Sequence, residues 1–447
     1  MNQQQALEIL KLGHNAYLTG PAGSGKTYLL NQYIAFLKNK NVNVGVTAST
    51  GIAATHMNGR TIHSWSGLGI KDQLRKKDIE DMLKKSYLVS RLRSAGVLII
   101  DEISMFHNFH LDMVDEICRS LRGLDLPFGG LQVILCGDFF QLPPVNRNGS
   151  GSDFVVNSQA WQEMDIKICY LDQQFRQADA EFLKLLTEIR QNQISEECLN
   201  NLLTRIKEPV DGPLTPTKLY THNADVDAVN NLELAMIKND PMTYEMTSRG
   251  NKNLVRILKD SCLAPQTLIL KEGALVMFVQ NNFEKGYVNG TLGKIIGFDN
   301  SNLPIVETKS GDRITASPGI WTIEEGGSMI AKISQIPLRL AWAITVHKSQ
   351  GMSLDSAEID LSKAFALGMG YVALSRVRTL EGIKLLGIND MALKVDPAIV
   401  ELDQEFSRQS QTLAEQLGKM KAKAKKQKQE EFLKRARLSI RGRGFLG

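Results

Sequence analysis

The chain has 447 residues, 53 Lys+Arg against 48 Asp+Glu for a net charge of +5, and 43% hydrophobic residues, a composition ordinary for a soluble globular protein of about three domains. Its longest apolar runs, such as Val97–Ile100, fall far short of the ~18 residues needed to span a bilayer, so a membrane protein is excluded. Five cysteines with no CxxC spacing exclude a disulfide framework and a zinc site and point to a reducing compartment.

The first ~140 residues alternate β-rich runs with amphipathic segments. NAYLTG (15–20) reads as a strand, and Leu30, Tyr33, Ile34 and Leu37 then recur at helical spacing. VNVGVTAS (42–49), GVLIIDE (96–102) and LQVILCGD (131–138) read as buried strands. Between the last two, Leu111, Val114, Cys118 and Leu121 mark a helix stopped by Gly123. The style repeats in KICYLD (167–172), a helix carrying Phe182, Leu185, Leu186 and Ile189, and KLYTHN (218–223). Residues 271–335 are rich in Gly, Val, Ile and Thr with turn signals, which reads as a small antiparallel module. Strands alternating with helices elsewhere argue for α/β architecture with parallel sheets.

GPAGSGKT (20–27) fits the phosphate-loop pattern G-x-x-x-x-G-K-[ST] and lies between a predicted strand and a predicted helix, the context the pattern requires. Gly20, Pro21, Ala22, Gly23, Ser24, Gly25, Lys26, Thr27 and Tyr28 are therefore expected to bind nucleotide. Backbone N–H groups and the helix dipole favour phosphate, Lys26 adds a charge for the β/γ-phosphates, and Thr27 offers a hydroxyl to Mg2+. Asp101 and Glu102 end the VLII strand, where ligands of α/β sheets bind. Asp101 suits the Mg2+ shell, and Glu102 suits activation of water. A nucleoside triphosphatase that uses Mg2+ follows from these features.

The later segments are VTASTGIAAT (46–55), GRTIHSW (59–65), GDFFQLPPV (137–145), LDQQFRQ (171–177), AWAITVHKSQGMSLD (341–355) and GMGYVALSRVRT (368–379). In this order they resemble superfamily 1B DNA helicases. EISMFHNFHLDMVDEICRSLRG (102–123) resembles the signature of one branch, the Pif-type (petite integration frequency) family. The resemblance covers about residues 2–390 and implies two RecA-like domains with ATP in the cleft between them. It further implies 5′-to-3′ movement on single-stranded DNA and unwinding of duplex or structured DNA, G-quadruplexes included, in replication, repair or recombination. The alternatives are a DNA-stimulated ATPase that remodels or clamps nucleic acid without unwinding, and a RecD-like helicase.

By that resemblance Gln5 reads adenine, Gln141 senses the γ-phosphate and attacking water, and Gly351 approaches the γ-phosphate. Arg176 and Arg376 supply charge from the second half of the chain, as an arginine finger does within one chain. Together with Lys26 and Glu102 these form the expected catalytic set. Thr50, Thr61 and His63 in the first half, and His222, Asn223, Thr345, His347 and Lys348 in the second, are the expected DNA contacts. Trp65 is open between base stacking and core packing, and Phe139-Phe140 favour the core. The expected domains are 1–160 with a wedge insertion at about 56–75, 161–270 with 336–390, a Src-homology-3-like barrel at 271–335, and a helical, basic tail at 391–447. Single-stranded DNA and 5′-tailed or forked duplexes are the expected partners of a monomeric, cytoplasmic protein, nucleoid-associated if bacterial.

Residues 419–447 hold 11 cations against two acids, a net +9, which leaves −4 for residues 1–418. A basic end of this kind reads as a nucleic-acid arm or as a solvated helix. The body is slightly acidic, so its grip on DNA is expected to come from a narrow lined channel.

Overall fold

The computed structural model describes residues 1–69, 71–141, 154–175, 179–210, 216–220, 226–282, 284–325, 328–346, 349, 351–362 and 364–437. Two parallel sheets carry the α/β halves. The first has six strands in the spatial order Arg60–Thr61, Val44–Ala48, Val97–Asp101, Gln132–Cys136, Ala16–Thr19 and Lys167–Tyr170. Its central strands Val97–Asp101 and Gln132–Cys136 are buried at every position, as strands covered on both faces must be. The second has four, ordered Ala343–Thr345, Thr217–Tyr220, Ala357–Leu361 and Ile383–Ile388. All pairs in both sheets are parallel, so each sheet presents its loops at one C-terminal edge.

Two boundaries differ from those expected. Lys167–Tyr170 pairs with Ala16–Thr19 and completes the first sheet, which therefore runs beyond residue 160. The antiparallel region starts near residue 242, well before 271. Met242–Glu245 pairs with Thr267–Leu270, and Thr247–Gly250 pairs with Ser328–Gln335 some 80 residues later. Such partners meet only in three dimensions, so local pattern does not reveal them. The region also holds a five-stranded sheet ordered Arg313–Thr315, Pro304–Thr308, Leu292–Phe298, Leu275–Phe278 and Leu338–Leu340. Its core includes Leu268, Leu270, Val276 and Phe278, with the Phe278 and Tyr287 rings stacked at 3.9 Å. Around the expected wedge the chain forms a helix at Ile62–Ser66, and two further helices, Lys76–Leu83 and Ser86–Ser94, extend the insertion.

The basic end is a docked helical hairpin as far as Arg437. Helix Pro397–Lys419 lies along the edge strand Lys167–Tyr170, and the Tyr170 N–H donates to Ser410 Oγ at 2.9 Å. A covered edge has no free ladder to offer another chain. Phe406 joins the Tyr17, Phe139 and Trp161 rings, with centroids 5.3 to 6.3 Å away. Helix Ala422–Arg437 then turns Phe432, Leu433 and Ala436 onto the first half. Phe432 fills the space above Gly13, where a Cβ would sit 2.6 Å from the ring; with φ +85° there, glycine is required twice over. Lys425 pairs with Glu8 at 2.9 Å, and Arg437 Nε donates to Lys40 O at 2.7 Å. Residues 438–447 lie outside the described residues, so the arm reading is untested for them.

Truncating a buried phenylalanine costs about 3–5 kcal/mol. Phe432→Ala is therefore expected to lower stability by about that amount in chemical denaturation. An unchanged midpoint would mean that the last helix is not docked.

Candidate ATP and DNA site

The phosphate loop leaves strand Ala16–Thr19 and opens helix Lys26–Asn39. Gly25 caps that helix in the left-handed region at φ +81°, without any side-chain cap. The first backbone N–H groups of the helix are thus left for an anion. The left-handed φ at Gly25 is what favours glycine here, and the Gln3 side chain lies against the loop at this point. Lys26 turns its ammonium back on its own loop, donating to Gly20 O at 2.8 Å and Pro21 O at 3.1 Å. Ser24 Oγ is buried with no hydrogen-bond partner among the described residues. Orphan donors, an ammonium resting on carbonyls and an unpartnered buried hydroxyl together fit a polyphosphate.

Asp101 and Glu102 stand beside this loop. The strand breaks sharply after Asp101: Glu102 adopts φ +51°, ψ +44°, a left-handed conformation that costs a non-glycine residue about 1 kcal/mol or more. The turn is held by Glu102 N–H donating to Asp101 Oδ1 at 2.9 Å and Ser49 Oγ donating to Glu102 O at 2.6 Å. Burial, then the Asp101 charge, pushes the Glu102 carboxyl up to about 7, while Lys26 and Arg376 pull it down. Burial likewise raises Asp101. A carboxylate near neutrality suits a proton acceptor. Thr27 is exposed at the mouth, and Tyr28 is 60% exposed.

Gln141 is 7% exposed, its N–H donates to Asp138 O at 3.0 Å, and its Oε1 has no partner among the described residues, an acceptor waiting for a donor. From the second half comes Arg376, buried at 1% exposure and oriented by Nε donating to Val372 O and Nη2 to Ser375 Oγ. Its charge acts directly on Glu102, which brings the two halves together at one place. Gly351 lies exposed in the turn after Ser349. Arg176 lies outside the described residues.

Gln5 is placed in a capping box: its N–H donates to Asn2 Oδ1 at 2.9 Å, and its Oε1 accepts from Asn2 N–H at 3.0 Å. The amide that reaches the phosphate loop is that of Gln3, donating to Ser24 O at 3.2 Å.

The expected DNA contacts of the first half share one sheet edge. Thr50 follows strand Val44–Ala48, and Thr61 ends the neighbouring strand. Both hydroxyls accept from helix-start N–H groups, of Ala53 and Ser64, at 3.3 Å. His63 packs edge-on against Phe106 and His110 at 5.3 and 5.2 Å. Burial, then His110, lowers its pKa to about 4, so it offers a neutral hydrogen bond and no charge. Trp65 is buried at 4% exposure, and Phe139 and Phe140 are buried too; all three are core. Thr345 is 1% exposed, which closes it to DNA in this conformation. His222, Asn223, His347 and Lys348 lie outside the described residues.

Comparison with known proteins gives the family. A family model for PIF1-like helicases matches residues 2–200, and one for the 2B domain of the DNA helicase Pif1 matches 253–298. The ATP-dependent DNA helicase Pif1 of Psychrobacter is 44% identical, over 91% of this chain and 71% of that protein. The chain belongs to the Pif1-type helicases. It is an ATP-dependent DNA helicase that uses ATP with Mg2+. The Xenopus laevis Pif1 helicase is 36% identical over 91% of this chain, which spans 64% of that longer protein. Bacteroides Pif1 in complex with ADP-AlF4 is 32% identical, covers 91% of this chain and 96% of its own, and superposes at a TM-score of 0.79. Bacteroides Pif1 bound to single-stranded DNA, 30% identical with the same coverage, superposes at 0.60. A Pif1 structure of unwinding at forked duplex DNA by two coordinating helicases, 31% identical with the same coverage, gives 0.59.

Among the described residues no cluster of three or more His, Cys, Asp or Glu side chains is placed to hold a metal ion. Mg2+ fits differently, since it needs one or two protein oxygens plus phosphate. No helix among the described residues is long and apolar enough to cross a membrane.

Lys26→Ala removes the single side-chain cation of the phosphate loop and is expected to abolish ATP hydrolysis, measured as phosphate release. Normal turnover would show that the nucleotide binds elsewhere.

Proposed function

We propose that this helicase moves 5′ to 3′ on single-stranded DNA and opens forked or 5′-tailed duplexes, with the site residues in the following roles. Lys26 and the N–H groups of Gly23 and of Gly25 to Thr27 hold the β- and γ-phosphates. Thr27 and Asp101 hold Mg2+, which neutralises phosphate charge when bound. Glu102 takes a proton from the attacking water as its oxygen bonds to the γ-phosphorus and ADP leaves. Gln141 orients that water through its unpartnered Oε1. Arg376 stabilises the charge that spreads onto the γ-phosphate oxygens. Arg176, Gly351 and Gln5 complete the nucleotide site in this reading.

The observation that carries the proposal is the contact of the two halves at the phosphate loop, where Ala22 N–H donates at 3.2 Å to Tyr371 Oη of the helix that leads into Arg376. A site shared by two bodies changes with the state of its phosphate, so hydrolysis can move one body against the other. DNA gripped by both bodies then advances. Thr50, Thr61 and His63 form one grip, and His222, Asn223, Thr345, His347 and Lys348 form the other. Both halves of the site lie in one chain, so a monomer suffices. The lower TM-scores against the DNA-bound relatives, 0.59 and 0.60 beside 0.79, agree with a rearrangement of the two halves on DNA. Thr345 would be exposed by it.

The decisive comparison is unwinding of matched duplexes bearing 5′ or 3′ single-stranded tails. Unwinding of the 5′-tailed duplex alone is expected. Unwinding of the 3′-tailed one alone would reverse the polarity, and intact ATPase with neither unwound would favour a remodelling clamp.

A further inference from the structure

Arg190 ends helix Ala180–Arg190 and is 6% exposed, a long cation in the core that no phosphate-binding or DNA-binding role explains. Its guanidinium makes a two-pronged contact with Asp138, Nη1 donating to Oδ1 at 2.9 Å and to Oδ2 at 2.8 Å. The same Nη1 donates to Tyr371 Oη at 3.1 Å, while Nη2 donates to Asp403 Oδ1 at 2.9 Å. Tyr170 Oη donates to the other Asp403 oxygen at 3.0 Å. The plane of charge lies over the Phe140 ring, 4.0 Å from its centroid.

The partners of Arg190 define its place. Asp138 and Phe140 lead directly into Gln141, and the Asp138 carbonyl accepts from Gln141 N–H. Tyr371 lies in helix Met369–Leu374, which leads directly into Arg376. Ala22 N–H of the phosphate loop donates to the Tyr371 hydroxyl at 3.2 Å, and that hydroxyl faces Asp138 Oδ2 at 3.5 Å. One buried cation and one buried hydroxyl thus tie together the phosphate loop, the Gln141 loop and the Arg376 helix. The first two belong to the first sheet, and the third belongs to the second.

We infer that Arg190 and Tyr371 are positioning residues for ATP hydrolysis, holding Gln141 and Arg376 in register across the cleft. A guanidinium suits this work because its fixed fork reaches acceptors on Asp138, Tyr371 and Asp403 at set angles, which a lysine ammonium does not. Asp403 balances the second prong from the C-terminal hairpin and touches neither reacting element, so its part is anchorage. The inference rests on the roles of Gln141 and Arg376 proposed above.

Three single variants, one double variant and one reference test it, each measured for the kcat of DNA-stimulated hydrolysis, equilibrium binding of MgATP and thermal midpoint. Tyr371→Phe removes one oxygen with little disturbance of packing. It is expected to cut kcat at least fivefold with nucleotide affinity changed less than twofold. Arg190→Lys is expected to do the same, and the double variant to be no worse than the weaker single, because both act through one network. Asp403→Asn is expected to lower the thermal midpoint while keeping kcat within twofold. Full kcat in Tyr371→Phe overturns the inference. So does a kcat loss in Asp403→Asn equal to that of Tyr371→Phe, which marks general loosening. Gln141→Ala is the reference. If it loses turnover while Tyr371→Phe does not, the positioning inference fails and the site reading stands. If it keeps turnover, the site reading itself fails.

Discussion

The buried carboxylates Asp101 and Glu102, set against cations from two different sheets, are the constraint on which this structure turns. Two adjacent acids at the end of an apolar strand repel each other and lose hydration, and the result is a Glu102 carboxyl raised to about 7. Lys26 and Arg376 offset that cost. Lys26 is delivered by the loop after the strand Ala16–Thr19, and Arg376 by the helix that crosses from the second half. Among the described residues Lys26 rests on the Gly20 and Pro21 carbonyls, and Arg376 on the Val372 carbonyl and the Ser375 hydroxyl. Both are therefore available to a triphosphate, and the arrangement is electrostatically complete only when one is bound.

From that constraint the architecture follows. Parallel strands put their C-terminal ends on one edge, so phosphate loop, acids and Gln141 collect there without long loops. The same edge, one and two strands beyond the acids, carries Thr50 and Thr61. Phosphate chemistry and the proposed DNA grip thus share one rigid sheet, and a displacement at one reaches the other through strands and not through flexible chain. The C-terminal hairpin returns from the second half to lie on the first, covering its edge strand and bringing Asp403 to Arg190.

Much of this was legible in the amino-acid sequence. Each of the strands that carry the nucleotide site was marked by a short apolar run ending in polar or glycine residues, because burial on both faces imposes that composition. The phosphate loop was legible because its chemistry requires glycines at fixed spacing. Trp65 was not decidable, since an aromatic after a histidine serves base stacking and core packing equally; burial settled it as core. The start of the antiparallel region near 242 was invisible, because Thr247–Gly250 shows no β signal until Ser328–Gln335 lies beside it. Gln3 and Gln5 differ only in which amide a helix cap consumes, a matter of geometry. Arg190 had no signal at all, being one arginine at the end of an amphipathic helix whose partners come from four separate segments. The basic end was read as charge alone, and its apolar face of Phe432, Leu433 and Ala436 was what docked it.

The central claim is that hydrolysis needs a cation from the second sheet in a site built on the first. The direct measurement is Arg376→Ala, assayed for MgATP binding and for DNA-stimulated phosphate release in the same preparation. The account predicts binding changed only a few-fold and phosphate release reduced by two orders of magnitude or more, on the order of the ~10³-fold that a transition-state arginine supplies. Phosphate release at the unmodified rate would contradict it, because the first sheet would then be hydrolysing ATP alone.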